Sequence, residues 1–311
     1  MNGVGLIGGW AADMLLGDPR RRHPVSGLGR AALALEGRMY APNRARGALF
    51  AATLIALAAL VAELLARASR RAGLGRGVGF AAVVWSALGG RSLVGEARRI
   101  AGLLECGELE AARERLPALV GRDVAGLDEA GVSRAVVESV AENTADAVVG
   151  ALLWGAVAGP AGVAAFRAAN TLDAMVGYRD ERYLEFGWAA ARIDDLMAWP
   201  AARLGAALTA LCAPLAGGSP RAAWTTLRRD GARHPSPNAG RMEASFAGAL
   251  DVRLGGPLSY GEREERRPHL GDGREPAAVD IPRAARLSLA VGALAALACA
   301  AGRLAWDWCW R

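Results

Sequence analysis

Lysine is absent from all 311 residues, so each of the 37 basic side chains is an arginine. That absence excludes a G-x-x-x-x-G-K-[ST] phosphate loop, a pyridoxal phosphate Schiff base and any lysine nucleophile. Cysteine is scarce. Cys106, Cys212, Cys299 and Cys309 are scattered, with no CxxC pair and no metal-ligand spacing, which predicts free thiols and no disulfide framework. Aromatic residues make up only 6% of the chain, and there are three histidines. The stretch from Met1 to Leu16 is apolar, lacks a basic leader and reaches Asp13, so no cleaved signal peptide is expected. No internal repeat or low-complexity tail is evident.

What is present is aliphatic. The hydrophobic share is 53%, yet the mean hydropathy is only +0.18, so a membrane reading must rest on uninterrupted apolar stretches and not on the average. Such stretches run over 47–62, 77–90, 147–166, 204–220 and 287–302, besides the N-terminal one. Several are flanked by arginine, as at Arg67, Arg70, Arg71 and Arg203. The fold expected is therefore all-α, a polytopic helical membrane protein with about five to six apolar segments. A pI of about 9.7 follows from arginine-rich loops at a membrane face, and no nucleic-acid partner is expected.

Two stretches differ from the rest of what reads as one membrane-embedded domain over 1–311. Segment 91–137 is an extramembrane amphipathic insertion, with Leu93, Ala97, Ile100 and Leu104 on one helical face and Glu96, Arg98, Arg99 and Glu105 elsewhere. Gly107 marks a turn before a second such helix. Segment 219–282 is rich in Pro, Gly and charge and reads as extramembrane and loop-rich. The window 147–166 carries Gly155, Gly159, Pro160 and Gly162, and polar clusters lie on both sides of it. A single site needs those clusters on one membrane face, which predicts a re-entrant or kinked hairpin near 147–166.

Four polar clusters could carry chemistry. The first joins Gly17-Asp18-Pro19 to His23-Pro24, readable equally as a proline-rich turn with a capping side chain; the nearby Gly27-Leu28-Gly29-Arg30-Ala31-Ala32 formally fits GxGxxA, but with no strand before it the match is chance. The second runs from Glu138 to Asp146. Helical spacing puts Glu138, Glu142 and Asp146 within about 80° of one another, inviting a cation or basic partner, with Asn143 and Thr144 as further oxygen donors. A solvated acidic face is the plain alternative. The third spans Arg167, Asn170, Asp173, Tyr178, Arg179, Arg192, Asp194 and Asp195. Carboxylates on two helices with several guanidinium groups suit Mg²⁺-nucleotide handling, although structural ion pairs would look alike. The fourth, Asp230 to Gly240, presents His234, Ser236 and Asn238 on a loop stiffened by two prolines, followed by Glu243 and Leu254-Gly255-Gly256-Pro257.

Taken in order, GDP…HPV, ESVAENTADAVV, FRAANTLDAMVGYRDERYLEFGWAAARIDD and HPSPNAGRMEASFAGAL…LGG resemble the adenosylcobinamide-phosphate synthase family of cobalamin biosynthesis, the CobD/CbiB family. The likeness extends from Gly17 to Gly256. The chain departs from the family pattern at Ala147, Ala151, Ala198 and Ala201, and its Pro200 stands one place early. The resemblance implies an enzyme of the bacterial inner membrane, active on the cytoplasmic face. It would use ATP to join the carboxylate of adenosylcobyric acid to aminopropanol or its O-phosphate, so corrinoid, amine and lipid bilayer are the expected partners. It further implies Mg²⁺ ligands among Glu142, Asp146, Asp173, Asp194 and Asp195. Substrate and nucleotide contacts fall to Asn143, Arg167, Asn170, Tyr178, Arg179, Arg192, Ser236 and Asn238, and catalytic roles to His23, His234, Glu142 and Asp194. A membrane sensor without catalysis, or a small-molecule transporter, are the rival functions, and the oligomeric state is not readable.

Overall fold

The computed structural model describes residues 2–18, 23–75, 77–260 and 263–309, and it is 76% helical. Five helical stretches are long and apolar enough to cross a membrane: Arg44–Arg71, Val78–Glu105, Glu129–Val176, Trp188–Ala216 and Asp280–Cys309, with the shorter Gly3–Leu16 beside them. The polytopic helical expectation therefore holds.

Local sequence explains where the helices start and stop. Helix α1 (Asn2–Leu16) ends at Gly17, whose φ of 68° a side chain would resist. Helix α2 (Pro24–Met39) starts with proline at its first position and His23 as cap, Nδ1 accepting from the Val25 N–H at 3.2 Å. The GxGxxA match lies inside this helix, so it is not a nucleotide turn. Helix α3 (Arg44–Arg71) is capped by Asn43, which accepts from the Ala45 and Arg46 N–H groups at 2.8 and 3.3 Å. At 28 residues it is about 42 Å long, more than a hydrocarbon core of roughly 30 Å needs. Only 22% of its apolar window is buried, and Leu57, Leu60, Val61, Leu64 and Leu65 are exposed. A stripe of that kind is stable against lipid and costly in water.

The residues group into two compact units, Met1–Gly89 with Asp146–Ala201 and Ala295–Arg311, and Gly90–Ala145 with Ala202–Leu294. In the first, α4 (Val78–Ala87) packs between α1 and α8 (Gly150–Val176), and α8 also lines α2 and α3. Small residues permit these approaches: a Cβ on Gly5 would press on Phe80 and one on Gly9 on Val84.

Helix α8 is broken where the sequence predicted. Gly159 has φ 65° and ψ −149°, outside the helical region, and Pro160 follows. The chain reverses there. A Cβ on Gly162 would strike the Trp154 carbonyl, one on Gly155 would lie 2.9 Å from Val163, and one on Gly150 would strike the Phe166 ring. Residues so far apart along a straight helix could not touch, so 150–176 is a hairpin of two helical arms. Upstream, Ala145–Val149 forms a π-turn. Helix α9 (Trp188–Cys212) carries Pro200, and the Trp154 indole N–H donates to the Met197 carbonyl at 2.9 Å, beside that proline.

In the second unit, α5 (Gly90–Glu105) buries Leu93, Ala97, Ile100 and Leu104, the predicted face, and Gly107 turns at φ 77° into the short α6 (Leu109–Arg115). Helix α7 (Glu129–Thr144) is capped by Asp128, which accepts from Gly131 N–H at 2.8 Å. Segment 219–282 is more regular than its composition suggested. It folds α10 (Pro220–Asp230), α11 (Ala239–Leu250) and an antiparallel hairpin, β1 (Leu254–Tyr260) with β2 (Arg263–Leu270). Helix α11 is buried at every position but Arg241, and its small residues let α10 approach: a Cβ on Gly248 would lie 2.7 Å from the Ala222 carbonyl. Helix α12 (Asp280–Cys309) closes the chain. All four cysteines are free.

Candidate functional site

Each unit holds its own polar cluster. In the first, Arg167 leaves the second arm of α8 with its charge facing Asp146 of the π-turn and Asp18. Its Nη1 donates to Asn170 Oδ1 at a long 3.4 Å, and its buried Nε has no hydrogen-bond partner among the described residues. Positions 167, 170 and 173 share one helical face. At its end Asp173 faces Asp195 of α9, and Asp195 in turn faces Arg192 and Arg179. Asp194 is half-buried next to Asp195, and Tyr178 is exposed. The turn carrying Tyr178 and Arg179 is anchored elsewhere: Glu36 Oε1 accepts from Arg182 Nη2 at 2.8 Å and from the Tyr183 hydroxyl at 3.0 Å. The Arg182 guanidinium also lies 4.4 Å over the Tyr40 ring. Its hydrogen bonds to Glu36 and Tyr183 raise the Arg182 value above that of a free guanidinium.

This arrangement alternates acidic and basic groups along the mouth of a hairpin. Unsatisfied guanidinium N–H groups suit phosphate oxygens, and a facing carboxylate pair suits a Mg²⁺ ion, which binds nucleotides through one or two protein carboxylates and keeps water and phosphate as its other ligands. A full protein cage is a different matter. Among the described residues no group of three or more His, Cys, Asp or Glu side chains could hold a metal. Asp146, Asp173, Asp194 and Asp195 belong to the first unit and Glu142 to the second. His23, also in the first unit, serves as the α2 cap. Pro19, in the predicted Gly-Asp-Pro turn, lies outside the described residues.

The second cluster is pinned by backbone. Glu138 is buried and doubly satisfied: Oε2 accepts from Arg122 Nη2 at 2.7 Å and Oε1 from the Gly255 N–H at 2.8 Å. The Gly255-Gly256 pair explains that second bond. Both have positive φ, 80° and 98°, and they sit in a register shift between Leu254 and Gly256 that frees an N–H from the ladder. Ser139 Oγ donates to the Leu119 carbonyl at 2.8 Å, and Asn143 Nδ2 donates back to the Ser139 carbonyl at 2.9 Å. Asn143 is thus engaged by its own helix.

The histidine loop is equally fixed. His234 Nδ1 accepts from Ser236 N–H at 3.0 Å, and Ser236 Oγ accepts from the Asn238 and Ala239 N–H groups at 3.3 and 3.1 Å. Ser236 therefore acts on the backbone at the start of α11. Asn238 Oδ1 accepts from Arg203 Nη1 at 3.4 Å. A Cβ on Gly240 would collide with His234, which accounts for the glycine. The loop leaves His234 Nε2 pointing at Glu243, 3.8 Å from Oε1. Beneath it Asp230 accepts from Arg229, Arg233 and the Gly271 N–H. Burial works to raise its carboxyl, but these bonds win and hold it at about 2.

Glu243, which in the fourth cluster only follows the histidine loop, is given no role by the sequence. It is 1% exposed, and burial, reinforced by Glu138 and Glu142, pushes its carboxyl well above the ordinary value against the smaller opposing effect of Arg267 and Arg122. One signal existed: it is the only acidic residue in AGRMEASFAGAL, a stretch that Arg241 apart is otherwise small or apolar. Arg122 and Arg267 had none, since both approach through distant loops and strands.

Sequence comparison matches residues 6–288 to the family described as CobD/Cbib protein. The chain is 51% identical over 294 residues to the cobalamin biosynthesis protein CobD of Mycobacterium tuberculosis, across 94% of this chain and 93% of that one. Against the protein of the same name from Geobacter metallireducens it is 44% identical over 269 residues, 85% of each. Against that of Rhodobacter capsulatus it is 39% identical over 309 residues, 92% and 95%. No solved structure matches the chain.

Proposed function

Because this chain belongs to the CobD/Cbib protein family, we propose that it serves cobalamin biosynthesis as a multi-pass membrane ligase, using ATP to join the carboxylate of adenosylcobyric acid to aminopropanol or its O-phosphate. The observation that carries the reading is the first unit's row of Arg167, Asn170 and Asp173, with Asp173 facing Asp195 and Asp195 facing Arg192 and Arg179. A carboxylate is a poor electrophile, and its phosphorylation gives an acyl phosphate that an amine can displace. Little covalent chemistry is asked of the protein in the first half; it must hold phosphate and carboxylate in line and neutralise charge.

Arg167, whose Nε has no hydrogen-bond partner among the described residues, would take the phosphate oxygens, with Arg179 and Arg192 at the other end of the row. Asp173 and Asp195 would hold the Mg²⁺ that accompanies the nucleotide, which supplies charge neutralisation at the phosphates. Asp194 would orient its neighbour from the same helical turn. In the second unit His234, buried beside Glu243, would serve the amine half-reaction. The inner membrane and its cytoplasmic face, where ATP and corrinoid are both present, are the location this chemistry requires.

The test is direct. Detergent-purified protein is incubated with ATP, Mg²⁺, the corrinoid acid and each amine in turn, and nucleotide and corrinoid products are identified by mass. Amide and one nucleotide product in equal amounts are expected. ATP left intact with all substrates present would favour a sensor, and passage of intact corrinoid across vesicles without amide would favour a transporter.

A further inference from the structure

The second unit carries a half-open cavity of about 130 Å³ walled by Arg122, Glu138, Ser139, Glu142, Glu243 and Arg267 among others. A single water needs on the order of 10–15 Å³ by such a measure, so this space admits a small organic group. Most of its polar wall is already engaged. Glu138 is held by Arg122 and Gly255, and the Ser139 hydroxyl by Leu119.

Glu243 is the exception among the hydrogen-bond acceptors of the wall. Its Oε2 is buried and accepts no hydrogen bond among the described residues, and its Oε1 lies 3.8 Å from His234 Nε2, too far for one. The charged groups facing it are Glu138 and Glu142 from α7, Arg122 from the loop before α7, Arg267 from β2 and His234 from the loop before α11. Arg122 holds Glu138 through Nη2, and the wall sets the three carboxylates Glu138, Glu142 and Glu243 against the two guanidinium groups of Arg122 and Arg267, one negative charge in excess when all are ionised. Since no set of three or more metal-ligating side chains is assembled among the described residues, a bare metal ion is the poorer fit. A primary ammonium carries three N–H donors and one positive charge, which matches.

We propose that this cavity seats the ammonium end of the amine substrate and that Glu243 is the base that takes its proton, an inference resting on the amide-forming reading above. The ammonium gives one proton to the Glu243 carboxylate, and the freed lone pair forms the C–N bond at the acyl carbon. The acyl C–O bond to phosphate breaks, its electron pair leaves with the phosphate, and the second proton goes to that phosphate. Amide, hydrogen phosphate and a protonated Glu243 result, with charge and hydrogen conserved. His234 is a positioning residue, its ring locked by Ser236 so that Nε2 faces the Glu243 carboxyl. The carboxyl's raised value makes it a stronger base than an exposed glutamate. Before the amine arrives it is protonated above the usual glutamate range, so amine binding releases a proton and tightens as pH rises.

The full-length protein in detergent is titrated with aminopropanol and, separately, its O-phosphate, without ATP, by calorimetry in two buffers of different ionisation heat at pH 6 and pH 8. Binding with proton release, tighter at pH 8, is expected for the wild type. Glu243→Gln should lose both the release and the pH dependence and lower amide turnover about 100-fold or more, with Glu243→Asp restoring part of it. Amide formation at the wild-type rate by Glu243→Gln overturns the inference and leaves the ligase reading standing. If the wild type makes no amide, the ligase reading fails by itself; amine binding with proton release still supports the cavity as the amine site, and its absence overturns it. The wild-type proton release decides the matter should the Gln variant not fold.

Discussion

In the first unit's row the charged side chains face one another; in the second unit the ion pairs are also tied to backbone, Glu138 by the Gly255 N–H, Asp230 by the Gly271 N–H and His234 by the Ser236 N–H. The contrast matters because mutual charge pairing yields readily to a charged ligand, whereas a side chain bound by main-chain groups keeps its place whether or not a ligand is present. A cluster of the first kind suits a polyanion such as ATP, which brings its own charge. One of the second kind suits precise proton transfer to a small amine, where a misplaced base loses its effect.

The comparison breaks most sharply at the carboxylates of the first unit. Asp173→Asn, and the double change Asp194→Asn with Asp195→Asn, should each lower ATP consumption by about 100-fold or more while leaving thermal unfolding nearly unchanged; wild-type turnover would remove these residues from nucleotide handling. The second unit should respond in the opposite way, through stability. Arg122→Ala strips a buried partner, both side chains being under 10% exposed at 6% and 7%, and should cost about 3 kcal/mol. An unmoved melting temperature would mean that the Gly255 bond alone supports Glu138.

Asp230→Asn comes next, at about 1–2 kcal/mol, and its effect depends on pH in a defined direction. The folded carboxyl lies at about 2, below its ordinary 3.8. The stability it contributes is present above the unfolded value and is lost as pH falls towards about 2. Urea unfolding at pH 7 and pH 3 should therefore show wild type and variant converging in acid. A smaller effect is expected at the surface, where Arg44 and Glu185 pair at 2.8 Å but are 57% and 40% exposed. Glu185→Gln should change stability by less than about 1 kcal/mol, and a larger loss would reveal that this exposed pair is tied to the buried Phe186 packing beside it.

Much of the architecture could be read in advance because it depends on short-range rules. Continuous apolar windows gave the spans, the period of Leu93, Ala97, Ile100 and Leu104 gave the buried face of α5, and Gly159-Pro160 gave the reversal in α8. Segment 219–282 was less legible. Its proline and glycine content suggests loops, but several of those residues are caps and bulges of regular elements: Pro220 opens α10, and Gly255-Gly256 bends β1. The site divided along the same line. Arg167, Asn170 and Asp173 share a face by spacing alone, whereas the π-turn at Ala145–Val149 breaks the simple i, i+4, i+8 relation of Glu138, Glu142 and Asp146. Asp146 faces Arg167 and Asp18, while Glu138 and Glu142 face Glu243.

The sequence by itself determined that this chain enters a membrane as helices, where it reverses, and which family's motifs it carries, because hydrophobic run length, glycine and proline conformations and motif order are local properties. Only the tertiary structure decided that Glu243 Oε2 accepts no hydrogen bond among the described residues, that Ser236 serves the backbone, and that Arg122 reaches Glu138 across 16 positions. Desolvation and unmet hydrogen bonds belong to a side chain's surroundings in space, and those surroundings come from segments that spacing along the chain does not relate.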